Sequence, residues 1–306
     1  MSEQVPPPPL LQPAQPRTGV IHDIGYRHYD GPRLGRFAIS QALLTASVRH
    51  AYGIGRSGKS KVMPILLLVV MVVPVAIIVG IEVSLQLDSP PVIPAHYVFF
   101  LQPVIALYLA SQAPQLFSRD LRYGSIVLYL ARPPRRTDYA LAKLGALIIA
   151  LMILIGIPLF VLYVGALLAK FDFTDMTREF GTGLAGGLLL SIMLAAIGGL
   201  IAAATPRRGF AVAAIITVLI VSFTATITTT AILDTDQKMT STAARFANLG
   251  SPFTLSRTLS TFVFRDDSDG WIPTTAQGLV FLAVWLLVVG LCVWGLNRRY
   301  AKVARG

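Results

Sequence analysis

Three stretches of the chain carry residue types that could do chemistry. Residues 53–60 read Gly-Ile-Gly-Arg-Ser-Gly-Lys-Ser, which satisfies the phosphate-loop pattern letter for letter. That chemistry needs a strand to deliver the loop and a soluble helix to follow it, so that backbone amides converge on the phosphates. Here an amphipathic stretch precedes the loop and an apolar run begins a few residues later, with no acidic magnesium ligand after a second strand. Small residues with Arg56, Lys59 and Lys61 describe the basic flank of a membrane span, and ATP is expected to be handled by another chain. His22, Asp23, His28 and Asp30 are metal-ligand types at a spacing that fits no standard site. Residues 266–270, Asp-Asp-Ser-Asp-Gly, place the glycine wrongly for a calcium loop and lack its terminal glutamate, so a solvated turn is expected. The chain is therefore expected to hold no catalytic residue, no metal and no cofactor, and not to be an enzyme by itself.

The elements around these stretches are apolar. With 54% hydrophobic and 13% charged residues and a mean hydropathy of +0.66, a soluble domain of 306 residues is excluded. Six runs, 62–83, 97–117, 139–168, 182–204, 210–233 and 278–296, are near or above the ~20 residues that cross a bilayer. The expected fold is all-α, an integral membrane protein with six transmembrane helices over 62–296. Residues 1–31 are polar and proline-rich, without a cleavable signal peptide, and read as a disordered cytoplasmic tail. Within 32–61, Phe37, Leu44, Val48 and Tyr52 mark an amphipathic helix bearing Arg33, Arg36 and Arg49, as in an interfacial helix of the inner headgroup layer. Residues 234–277 form the longest external segment, where Ser251 followed by Pro252 starts a helix striped by Leu255, Leu259 and Phe262. Short helices dipping into the outer interface are expected there. Residues 297–306 form a basic cytoplasmic tail, and Cys292 is a small packing residue.

A net charge of +11 could indicate nucleic acid, but its distribution decides otherwise. With the N-terminus in the cytoplasm, only Lys170, Arg178, Lys238, Arg245, Arg257 and Arg265 of the 26 basic residues fall outside. Acids show the reverse bias. Basic flanks set orientation, so both termini are expected in the cytoplasm of a multi-pass protein of the plasma or inner membrane. Basicity here is topology, and no nucleic-acid partner is expected.

Residues 114–143 stand between two apolar runs and carry six basic residues: Arg119, Arg122, Arg132, Arg135, Arg136 and Lys143. Phe117, Leu121, Gly124 and Leu128 recur at three- and four-residue steps, which predicts a surface helix over about 117–131 with one apolar face. Pro133 and Pro134 stop it, and Thr137 or Asp138 can cap the next helix. Off the apolar face lie Arg119, Asp120 and Tyr123, with Asp120 the foremost candidate to meet a partner. In the fourth run, Gly183, Gly187, Ser191, Ala195, Gly199 and Ala203 form a small-residue stripe that permits close helix approach. The fifth run is the most polar. Its Thr217, Ser222, Thr224 and Thr228 either line a pathway or satisfy carbonyls of their own helix. No charge lies in the middle of any run, which argues against an ion-coupled secondary transporter.

The order Asp120, Gly124-Ser125, an apolar stretch, Pro133-Pro134-Arg135-Arg136 and Lys143 resembles the ABC-2 family of transporter permeases, the membrane subunits of ATP-driven exporters. The resemblance extends loosely from about Gly31 to the C-terminus, over the six-span layout. It implies that 117–131 is the coupling helix, which contacts a nucleotide-binding ATPase subunit, with Arg135 and Arg136 beside it. It further implies ATP and magnesium on that partner, and a second permease half, identical or related. Alternative readings are an ATP-independent membrane protein (a secondary transporter or scaffold) and an ABC importer permease.

Overall fold

The computed structural model describes residues 31, 35–55, 57–86, 89–123, 135–205, 207–234, 241–265 and 271–303. Residues 1–30, Gly124, Leu128, both prolines of 133–134 and residues 266–270, where a solvated turn is expected, lie outside the described residues. Among the described residues all regular structure is helical: α1 (Arg36–Ala51), α2 (Lys59–Leu85), α3 (Pro94–Phe100), α4 (Gln102–Leu116), α5 (Ser118–Arg122), α6 (Arg136–Leu168), α7 (Phe173–Ala204), α8 (Arg208–Leu233), α9 (Thr242–Ala247), α10 (Pro252–Phe264) and α11 (Thr275–Val303). Of these, α2, α6, α7, α8 and α11 are long and apolar enough to cross a membrane.

The expected second span is helical but divided. Pro103 has no amide to offer the carbonyl four residues back, and its ring would crowd that carbonyl. The helix accordingly breaks at Leu101 (φ −94°, ψ 16°) into α3 and α4. α4 is the innermost helix of the bundle: Ile105, Tyr108, Leu109, Ala110 and Ala113 are fully buried. The outer faces of α2, α8 and α11 remain apolar and exposed, through residues such as Leu66, Val73, Val221 and Leu287. Such surfaces have no place in water and suit hydrocarbon.

α6, 33 residues and about 50 Å long, is the spine against which the other elements are registered. Along its first half runs α1 in the same direction: Arg36 meets Asp138, Leu44 packs at Gly145, and the Tyr52 hydroxyl donates to the Ala150 carbonyl at 2.8 Å. Asp138 also accepts from the Arg135 amide at 3.1 Å, so it caps α6 from within the first turn.

The phosphate-loop lookalike is the turn between α1 and α2. Gly53, at φ +67°, gives its amide to the His50 carbonyl, and Ile54 gives its own to Arg49. That pair of bonds is the Schellman ending of α1, which favours a residue without Cβ at this position. A Cβ on Gly53 would lie 2.7 Å from the Ser60 carbonyl oxygen. The Ser60 and Lys61 amides are likewise engaged, with Ser57 and Gly58. Three amides of the motif, and that of Lys61 just after it, are thus committed to helix ends rather than converging on open space.

The small-residue stripe of α7 finds its neighbours within the same chain. Gly187 sits against Ile155 of α6, while a Cβ on Gly199 would come 3.1 Å from both Leu144 and Phe117. Small residues bring α6 and the α4–α5 corner onto α7, and this positions the site described next.

Candidate functional site

At the corner where α4 ends, the chain turns through Phe117 into the five-residue α5. Phe117 is fully buried against Gly199, and the Ser118 hydroxyl donates to the Ala202 carbonyl at 2.6 Å. That carbonyl belongs to the last turn of α7, where helix carbonyls lack internal partners. α5 is thereby stapled to the end of α7, with Leu121 packed on the core.

Asp120 turns inward. Its Oδ2 lies 2.9 Å from Lys143 Nζ and also accepts from the Tyr139 hydroxyl. Tyr139 and Lys143 are four residues apart on α6, so both leave the same face and reach one carboxylate. Lys143 Nζ also stands 5.5 Å from the centre of the Tyr139 ring. The Tyr139 ring also meets Tyr300 of α11 edge-on, with centroids 5.4 Å apart and planes at 90°. One residue earlier, Arg299 donates from Nε to the Ala203 carbonyl at 3.3 Å. Four elements, α5, α6, α7 and α11, are therefore tied together around Asp120.

The other side of α5 is open and basic. Arg119 and Arg122 are exposed, Tyr123 is 71% exposed, and the Arg122 guanidinium lies 5.8 Å from the Tyr123 ring centre. Arg135 and Arg136, at the start of α6, are exposed as well. His50 of α1 stands near this cluster, with its imidazole held below the ordinary histidine range. Burial is the main cause, followed by the Lys143 and Arg119 charges, which Asp120 partly offsets.

The structure thus divides the residues that sequence pattern placed together. Arg119, Tyr123, Arg135 and Arg136 face outward, Phe117 and Leu121 face the core, and Asp120 is engaged inside the chain rather than presented. Tyr139, Tyr300 and Ser118 escaped the sequence reading. The four-residue spacing of Tyr139 and Lys143 was the one available signal for the first, and the Tyr300 and Ser118 contacts cross too much sequence to be read locally.

On α8 the hydroxyls separate similarly. Ser222 donates to the Leu219 carbonyl at 3.1 Å and Thr226 to the Ser222 carbonyl at 2.9 Å. Thr217, Thr224 and Thr228 lie along one exposed stripe. Among the described residues no group of three or more His, Cys, Asp or Glu side chains could hold a metal ion.

A family model described as an ABC-2 family transporter protein matches residues 37–301 of the chain. No curated protein that was compared matches it.

Proposed function

This chain belongs to the ABC-2 family of transporter permeases, and from that membership we propose that it is one half of the membrane domain of an ATP-driven exporter. It is a multi-pass membrane protein of a family that lacks the ATPase domain and generally pairs with ATPase subunits. In the proposed assembly, two such halves, identical or related, enclose the pathway, and separate subunits bind ATP and magnesium. Both termini, α1 and α5 lie on the cytoplasmic side of the plasma or inner membrane, and α9 and α10 lie outside.

The observation that carries this reading is the α5 corner. An exposed basic surface (Arg119, Arg122, Tyr123, Arg135 and Arg136) is mounted on a base tied to α6, α7 and α11 by an ion pair, a hydrogen bond and a ring contact. A push on α5 would be delivered to α6 through Asp120 and to α7 through Ser118, without first being absorbed by a loose loop. The expected coupling helix runs on to 131, and its Gly124 and Leu128 lie outside the described residues. Asp120 acts as a positioning residue and the outward arginines with Tyr123 meet the ATPase. The exposed Thr217, Thr224 and Thr228 stripe, with Ser222 behind it, lines the path between the halves.

The test is cysteine cross-linking in the full complex. Tyr123→Cys should form a disulfide with a cysteine in the cognate ATPase subunit, and ATP should change its yield. A cysteine at Thr224 should instead capture the second permease half. Failure of Tyr123→Cys to capture any ATPase subunit, in a complex that still hydrolyses ATP, would remove α5 from the coupling role.

A further inference from the structure

A small cavity lies at the other end of α6 from the α5 corner, ~36 Å along that helix from Tyr139 at a rise of ~1.5 Å per residue. At about 10 Å³ it has room for one water-sized occupant, which needs ~10–15 Å³. Its wall is built from the last turn of α2, the end of α6 and the second turn of α7, closed by Pro90 and Val92 of the segment after α2. Three ionisable side chains line it, Glu82 of α2, Tyr163 of α6 and Glu179 of α7. Among the described residues that line it there is no basic side chain.

Glu82 is the informative residue. It is fully buried, and neither of its carboxyl oxygens has a hydrogen-bond partner. An isolated carboxylate away from water is among the costliest groups a fold can hold, so buried acids are neutralised or paired. A proton alone would remove the charge of Glu82 and still leave both oxygens without a bond, a state that folded proteins rarely keep. A cation seated in the cavity answers the charge and both oxygens together.

The donor set indicates which cation. Carboxylate and hydroxyl oxygens suit hard ions, and no imidazole or thiolate lines the cavity among the described residues. Glu179 brings a second negative charge to the same space, which favours a divalent ion; it matters here for its charge alone. The Tyr163 hydroxyl shares a hydrogen bond with the Thr177 hydroxyl at 3.0 Å, and its ring stacks on Phe180 with centroids 4.8 Å apart, so the third wall is fixed in place. Magnesium keeps several waters in a strict octahedron, for which a one-water cavity has no room, whereas calcium accepts irregular sets of oxygens. Two carboxylates are fewer than a closed calcium site uses, and water completes the shell. The affinity expected of such a site is ~0.1–1 mM, the range of extracellular calcium modules.

We propose that Glu82 and Glu179 form a calcium site that ties the ends of α2, α6 and α7 together. In the orientation given under Proposed function this end of the bundle is outside. Binding itself depends on neither that orientation nor the ATPase, because one chain and one ion suffice.

The test uses the full-length chain, purified in a neutral detergent and stripped of ions with a chelator, with calcium chloride as the probe. Its melting temperature should rise by several degrees, with half of the rise reached between ~0.1 and 1 mM calcium. Glu82→Gln should abolish the rise. The same variant, free of ions, should melt higher than the ion-free wild type, because a buried and unpaired charge is gone. Glu179→Gln should move the half-point to about tenfold higher calcium, since the charge count of the ligands sets the affinity. Asp175→Asn, at the exposed start of α7, should leave the calcium response unchanged. Terbium bound in place of calcium should emit by energy transfer from Tyr163, and Tyr163→Phe should lose that emission. A rise that sodium chloride reproduces at equal ionic strength would overturn the site, since screening would then suffice. So would a calcium response that survives Glu82→Gln. A wild type indifferent to calcium would overturn it as well, and would leave the cavity to a proton and a water.

Discussion

Asp120 and Lys143 form an ion pair of 2.9 Å whose side chains are 17% and 7% exposed, and the pair joins α5 to α6 at the corner where the apolar core ends. Removing one member of such a pair leaves the other charge in a poorly solvated place, which costs ~3–5 kcal/mol when burial is complete and less at this partial exposure. Lys143→Met should therefore lower the melting temperature of the purified chain and reduce transport-coupled ATP hydrolysis in the complex. Asp120→Asn, which keeps the shape and an acceptor for Tyr139, should do less. The decisive variant is the exchange Asp120→Lys with Lys143→Asp, which should recover more coupled activity than either single change. An exchange no better than the singles would mean that the pair is not what carries motion from α5 to α6.

The outward arginines lead to a different expectation. Arg119, Arg122, Arg135 and Arg136 are exposed, so their changes should leave the stability of the isolated chain within about 0.5 kcal/mol of wild type. Charge reversal at two of them should weaken capture of the ATPase subunit and flatten its dependence on salt, because facing like charges oppose docking. Both effects can be read by co-purification across a salt series. Unchanged capture with an unchanged salt slope would place the docking surface elsewhere.

The helical class was readable because hydrophobic runs of bilayer length leave little alternative, and five of the six are continuous spans in the structure. The sixth is divided because Pro103 acts locally while the length of the run is a property of the whole segment. Sequence pattern located the α5 corner through its charge density and proline stop. It did not foresee that Asp120 turns inward, because a helical repeat separates apolar from polar faces and cannot say which polar residue finds a buried partner on another helix. Lys143 lies one turn beyond Tyr139, so half of that constellation was on the page. The remainder, Tyr300 and the α7 carbonyls of Ala202 and Ala203, comes from contacts that only the packing of α7 and α11 creates.

The glycine-rich turn at 53–60 gives a sharp negative expectation. Its Gly53 and Ile54 amides close α1 and its Ser60 amide bonds the Ser57 carbonyl, so these three are not open to a phosphate. Lys59→Ala should leave the nucleotide affinity of the assembled complex unchanged, and the purified chain alone should hydrolyse no ATP. Gly53→Val, by contrast, should destabilise the chain, since it puts a branched side chain at φ +67° with the Ser60 backbone in its way. A Lys59→Ala complex that assembles but binds nucleotide much more weakly would restore the phosphate-loop reading.

Topology is open to direct chemistry. With basic flanks on the cytoplasmic side, a cysteine at Asp175, at the start of α7, should react with an impermeant thiol reagent in intact cells. Cysteines at Arg135 and Arg207 should stay protected until the membrane is opened. The native Cys292 lies within α11 and is replaced by Ala in the labelling background. Labelling of Arg135→Cys in intact cells would put α5 outside and end its proposed role with the ATPase.

The last expectation concerns pH. His50 stands on α1 with its imidazole held below 6.5, first by burial and then by the Lys143 and Arg119 charges. A base whose folded value is lowered binds fewer protons folded than unfolded through that window, so stability rises with pH there. In the other direction, acidification through about 6.5 and on below the lowered folded value adds a penalty that is absent at neutral pH. The imidazolium would form beside two cations that Asp120 only partly offsets, and Asp120 is already engaged with Lys143 and Tyr139. The melting temperature of the purified chain should therefore fall between neutral pH and about pH 5.5, and His50→Gln should flatten that part of the profile. The size of the effect is set by solvent screening, because the residue is exposed on one side. Lys143→Met tests the cause as well as the sign. It removes the cation with the larger effect on His50, so it should shift the remaining pH dependence upward even as it lowers stability overall. A pH profile identical in wild type and His50→Gln would show that α1 does not sense the charge state of the α5 corner.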